Sequence, residues 1–244
     1  MELYRRAFIP DTHIPYHDAK ALEVAIEVIQ DFRPHELVFL GDFFDLYCVS
    51  QYSQDPLKCA KVLQEEIAEG KELLNAIERR SKAKSVVFIS GNHENRLDRY
   101  VAENGPRLAG SLSVREVLGI PVHWVFLPYG QKGHYRMGNW VATHGSICNK
   151  YSAAAMVAKY GCNVIYGHVH KIQRYQTADF SGRTMTGLTC GWLGDSEKAA
   201  EYVKNVPDYS HGLALGWWRK SGKGHIDVVP IEDYRAISLG RAYG

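Results

Sequence analysis

Five short motifs hold the residues of this chain best suited to chemistry: Asp11-x-His13, Gly41-Asp42-x-x-Asp45, Gly91-Asn92-His93-Glu94, His144-Gly145 and Gly167-His168-x-His170. Carboxylate, amide and imidazole donors mixed in one set suit borderline divalent cations such as manganese, iron, zinc or nickel better than calcium. Singly, each motif is weak evidence, because Asp-x-His and Gly-Asp pairs after a strand are common as turns and helix caps. Their placement makes the stronger point: each follows directly on a short apolar run.

Those runs read as strands alternating with helices. Arg6 to Pro10 is apolar and ends at the first motif, and Glu36 to Leu40 ends at the second. Between them Leu22, Ala25, Ile26 and Ile29 recur at helical spacing from Asp18 to Phe32, and Pro34 marks the stop. Leu63, Ile67, Leu74 and Ile77 form one stripe of a helix over Leu57 to Arg80, with Pro56 suited to its start. Ser85 to Ile89 is a third buried strand before Gly91, while Trp140 to Thr143 and Asn163 to Tyr166 lead into the last two motifs around a helix from Ser152 to Tyr160. Strand, helix, strand in this order implies crossovers and a mostly parallel sheet, and ligands gather outside the carboxyl ends of such strands. After about Thr184 the pattern is strands and turns, including Leu213 to Arg219 and His225 to Pro230. Trp217 and Trp218, adjacent in a strand, should place one ring on each face.

With five blocks in this order, residues 7 to 170 resemble the calcineurin-like metallophosphoesterase superfamily, in its small single-domain bacterial or phage form. The resemblance implies an α/β sandwich of two mixed β-sheets flanked by α-helices. It implies two divalent metal ions, manganese foremost, with Asp11, His13, Asp42 and His170 at the first, and Asn92, His144 and His168 completing the second. Asp42 would bridge them, and metal-activated hydroxide would attack the phosphate ester. His93 matches the position that protonates the leaving group, and Asp45 the acid that orients it. Two cations roughly 3.5–4 Å apart can clamp a phosphoryl group and activate water. Arg96 is a candidate phosphate contact, because its guanidinium offers a planar fork. Tyr47 and Tyr52, in the loop Leu46 to Pro56, are candidate substrate contacts. Glu94 reads as a structural acid.

The departures from relatives are informative. Asp45 is followed by Leu46-Tyr47 rather than the Arg-Gly of the Ser/Thr protein phosphatases, and the Tyr that purple acid phosphatases carry three residues after this Asp is missing after Asp42. Only about 74 residues follow His170, which leaves little room for the capping and DNA-binding regions of the double-strand-break repair nucleases.

Bulk properties are ordinary: 244 residues, 45% hydrophobic, 23% charged and a formal net charge of +2, consistent with a single domain over residues 1–244. A net charge this small does not mark a dedicated nucleic-acid coat. No run of 18 apolar residues suggests a membrane span, and five cysteines without C-x-x-C spacing point to reduced thiols in the cytoplasm. Lys132, Lys150, Lys171 and Arg174 fall near motif loops, whereas His17, His35, His123, His134, His211 and His225 read as surface or satisfied buried groups. The expected substrate is a phosphate ester, leaning to a phosphodiester, nucleic acid or nucleotide. A phosphomonoesterase acting on nucleotides or phosphoproteins is the alternative. A non-catalytic binding module of the same shell is a third reading, and it predicts lost ligands, whereas every ligand position is present.

Overall fold

A computed structural model of the chain describes residues 3–50, 56–108, 111–199 and 208–244. The elements in chain order begin with β1 (Tyr4–Ile9), α1 (Ala19–Phe32), β2 (Glu36–Phe39), α2 (Pro56–Ser81) and β3 (Ser85–Ile89). There follow α3 (Asn95–Asn104), α4 (Val114–Val117), β4 (Val125–Leu127), β5 (His134–Met137), β6 (Trp140–Thr143), α5 (Ser152–Tyr160) and β7 (Asn163–Tyr166). The last are β8 (Ile172–Ala178), β9 (Thr184–Cys190), α6 (Ser196–Ala199), β10 (His211–Trp218), β11 (Gly224–Ile231), β12 (Ala236–Ser238) and β13 (Arg241–Tyr243).

Two large mixed sheets result. One runs β11-β10-β1-β2-β3-β4, with β1 to β4 parallel and β10 and β11 antiparallel beside them. The other runs β5-β6-β7-β9-β8, parallel through β6, β7 and β9. Period-two alternation explains why both faces of the inner strands are apolar. Ala7, Ile9, Leu37, Phe39, Val86 and Phe88 face one core with α1 and α2, while Phe8, Val38, Val87 and Ile89 face another between the sheets. Ile165 and Leu188 enter that second core from the other sheet, whose outer face, Val164 and Tyr166, packs on Met156 and Val157 of α5. The layers are therefore helix, sheet, sheet, helix.

The ends follow local chemistry. Asp18 caps α1, accepting from the N–H groups of Lys20 and Ala21 at 3.0 and 3.1 Å, and Arg33 closes it in the left-handed conformation before Pro34. The adjacent tryptophans separate as expected: Trp218 lies in the inter-sheet core, and Trp217 packs edge-on to Phe32 at 5.2 Å on the helix side. No helix among the described residues is long and apolar enough to cross a membrane.

Candidate metal centre

Every motif leaves the carboxyl end of a parallel strand: Asp11 and His13 after β1, Asp42 and Asp45 after β2, Asn92 and His93 after β3, His144 after β6, and His168 and His170 after β7. These ends converge, so all seven candidate ligands meet. His170 Nε2 lies 3.0 Å from His13 Nε2 and 3.5 Å from Asp11 Oδ2. His144 Nε2 lies 2.9 Å from Asn92 Oδ1 and 3.2 Å from Asp42 Oδ2. His168 joins Asp42 and His144 in a group whose ligand atoms all fall within 4.8 Å of one another, as do those of Asp11, His13 and His170. The two groups touch, because the His168 N–H donates to the Asp11 carboxylate at 2.7 Å.

The backbone is strained where the ligands sit. His13, Asp42, His168 and His170, with φ of 54°, 49°, 71° and 57°, are four of the ten non-glycine residues with positive φ among those described. Such conformations cost roughly 1 kcal/mol or more each and concentrate at functional sites. Glycine answers the crowding. At Gly41 (φ +96°) a Cβ would stand 2.6 Å from His144 Nδ1, and at Gly167 it would collide with Asp11 Oδ1.

The donor set fits cations. His144 Nδ1 lies 2.9 Å from the Leu40 carbonyl and His13 Nδ1 lies 2.9 Å from Asp45 Oδ2, so each ring donates outward and turns Nε2 inward. Those inward nitrogens face other acceptors: His13 Nε2 meets His170 Nε2, and His144 Nε2 meets two oxygens. Only a proton or a cation can reconcile such a convergence. Protonation follows the same field. Burial disfavours charge on His144, but Asp42, then Asp11 and Glu94, outweigh it and push its pKa up to about 10. Burial and the His144 charge instead push His168 down to about 4, and burial with His93 lowers His13, leaving both as neutral imidazoles of the kind that can ligate metal. Burial would raise Asp42, yet His144 and His93 hold it well below the usual carboxylate range.

His93 stands beside this cluster rather than inside it. Its Nδ1 is 2.8 Å from the Asp45 carbonyl and 3.3 Å from Asp45 Oδ2, and its Nε2 lies 3.8 Å from Asp42 Oδ2. Asp45 thus serves two rings, with its carboxylate on His13 and its carbonyl on His93. Burial works against charge on His93, but Asp42 and Asp45 outweigh it and raise its pKa. Arg96 donates to the Asp45 carbonyl at 2.8 Å and to His93 Nε2 at 3.0 Å, so it is tied to His93 and to the loop that carries Asp45. Tyr47 begins a short 3₁₀ turn, half-buried, two residues beyond Asp45. Tyr52 lies outside the described residues. Glu94, fully buried, accepts from the N–H groups of Asp42, Phe44 and Gly91 at 3.0, 2.9 and 2.7 Å.

Three aromatic neighbours escaped the sequence reading. Trp192, after β9, stacks on His170 at 4.8 Å, Tyr209 meets the same ring edge-on at 4.7 Å, and Tyr129, after β4, meets His144 at 6.1 Å. Gly191-Trp192 repeats the glycine-after-strand pattern and could have been read. Tyr129 follows a strand of three residues, too short for periodicity to reveal.

The fold is an α/β sandwich whose strand ends gather side chains that could hold metal. The family model for calcineurin-like phosphoesterases matches residues 4–172, and the chain belongs to that family. Among similar proteins are two called gene 54 protein. That of Mycobacterium phage L5 is 27% identical over 258 aligned residues, covering 98% of each chain. That of Mycobacterium phage D29 is 27% identical over 240 residues, covering 92% of this chain and 89% of the other. Similar solved structures include vacuolar protein sorting 29 of Cryptosporidium parvum (TM-score 0.48, 15% identity, 98% and 94% covered). Another is Vps29 of Entamoeba histolytica in complex with zinc (TM-score 0.47, 15% identity, 94% and 93% covered).

Proposed function

We propose that this protein hydrolyses phosphate esters with two divalent cations, manganese foremost, and that its substrates are phosphodiesters or nucleotides. The observation that carries the reading is the inward convergence of lone pairs at His13, His170, His144, Asp42 and Asn92 beside a buried imidazole, His93, that is not itself needed as a ligand. Asp11, His13, Asp42 and His170 would hold one cation, and Asn92, His144 and His168 the other, with Asp42 shared. When bound, the pair would neutralise phosphoryl oxygens and lower the pKa of water.

The remaining steps belong to the chain. Asp45 fixes His93 by accepting from Nδ1, which leaves Nε2 as the atom that carries a proton to the leaving oxygen. Arg96 now donates to that nitrogen; on protonation the two become like charges, and the guanidinium is free to turn its fork to a phosphate oxygen. A binding module would have no use for a proton donor held so closely.

Metal content measured alongside turnover of a nitrophenyl phosphate monoester, a bis-nitrophenyl diester and single-stranded DNA, each with manganese, tests the reading. Stoichiometric binding of two ions and faster diester turnover are expected. Turnover of the monoester alone would move the substrate to the phosphomonoesterase alternative, and activity undiminished by exhaustive chelation would end the metal mechanism.

A further inference from the structure

A cleft of roughly 400 Å³ opens beside the candidate metal centre on the His144 side. Its inner end is Ser90, Thr143, His144 and Gly145, the strand ends that carry the second ligand group, so the cleft and the metal centre are continuous. Tyr129 forms one wall, its ring 6.1 Å from that of His144. Lys159 and Tyr160, at the end of α5, form the outer end.

Lys159 is the informative residue. Its ammonium is held at 3.0 Å by the Ser146 hydroxyl, and among the described residues no carboxylate pairs with it. Ser146 is two residues beyond His144, and both line the cleft. A positive charge therefore stands on the same cleft as His144, which Tyr129 also lines, with the Tyr160 ring 5.9 Å from the ammonium. Rings that accept bases, next to a cation that accepts the backbone, are the parts of a single-strand platform.

We infer that this cleft receives the nucleoside adjoining the scissile phosphate, and that Lys159 binds the next phosphate along a single-stranded oligonucleotide. The inference rests on the phosphoesterase reading for the position of the scissile phosphate. It is tested by binding rather than turnover. Fluorescently labelled octathymidylate is titrated by anisotropy onto manganese-loaded protein carrying His93→Ala to slow hydrolysis, with Lys159 intact or replaced, across a salt series. Lys159→Glu should weaken binding about tenfold or more and lower the slope of log K against log salt by about 0.7, the share of one phosphate contact on a single strand. Lys159→Arg should restore most of the affinity, and thymidine 5′-monophosphate, lacking the further phosphate, should bind equally to all three. Oligonucleotide binding that is unchanged by Lys159→Glu, or absent with Lys159 intact, would overturn the inference. Lys159-dependent binding with no ester hydrolysed by the wild-type chain would leave the cleft standing and sink the hydrolase instead.

Discussion

His93 and Glu66 show how burial can be turned to opposite ends at single residues. His93 is buried but faces two carboxylates, so it favours its proton. A leaving alkoxide needs that proton, whereas nitrophenolate departs readily without one. His93→Ala should thus cost about 10²- to 10⁴-fold in kcat on a dinucleotide and far less on a bis-nitrophenyl ester; equal losses on both would argue that the ring only shapes the site. Glu66 lies beneath the second motif, 1% exposed. One oxygen accepts from the Leu46 N–H at 2.6 Å and the other is buried without a partner, so burial, with Asp45 and Glu94 adding to it, pushes its pKa up to about 8. The sign follows directly: an unfolded Glu near 4.5 ionises first, so the native state keeps its full advantage below that pH and loses it as pH climbs toward 8. Glu66→Gln keeps an acceptor for Leu46 but cannot ionise. Its thermal stability should match wild type near pH 5 and pull ahead by up to about 1.4 kcal/mol per pH unit above that. Parallel melting curves from pH 5 to 8.5 would refute this.

At the scale of elements, the site depends on loops from separate strands being tied together, and Glu94 ties two of them. Its carboxylate accepts from Asp42 and Phe44 after β2 and from Gly91 after β3, although burial and then Asp42's charge push its pKa up to about 7. Glu94→Gln would turn an amide N–H toward at least one of those N–H groups. A loss of about 1–3 kcal/mol in denaturant unfolding is expected, the cost of an unsatisfied buried donor, together with weaker metal retention. Full stability and metal content would show that the loops hold themselves. The same level explains what could be read in advance. Strands β2, β3, β6 and β7, and helices α1 and α5, were legible because they are apolar, periodic and bounded by Pro or Gly. β8 was not: its exposed run Arg174, Tyr175 and Gln176 belongs to an edge strand that looks polar in sequence. The candidate ligands could be picked out one motif at a time, but Tyr209 reaches His170 only through pairing of the chain around β9 and β10, which no local pattern encodes.

On the scale of the molecule, the candidate ligands divide between the two sheets. Asp11, His13, Asp42 and Asn92 leave the first, and His144, His168 and His170 leave the second. The first group of ligands draws on both sheets, through Asp11 and His13 with His170, and so does the second, through Asp42 with His144 and His168. Cations there would fasten the layers to one another as well as serve chemistry, and an ion that binds only the folded chain must stabilise it by mass action. Free manganese at 100 times its Kd adds about 2.7 kcal/mol for one site, or roughly 5–10 °C in Tm for a chain of this size. Chelation should reverse the gain. With Asp42 shared between the two ions as proposed, Asp42→Asn should weaken both sites at once, so its Tm should respond to manganese far less than that of wild type, while Lys159→Glu, which removes no candidate ligand, should respond in full. A melting temperature indifferent to manganese and chelator in the wild-type chain would mean that the two sheets hold these residues together for some reason other than metal.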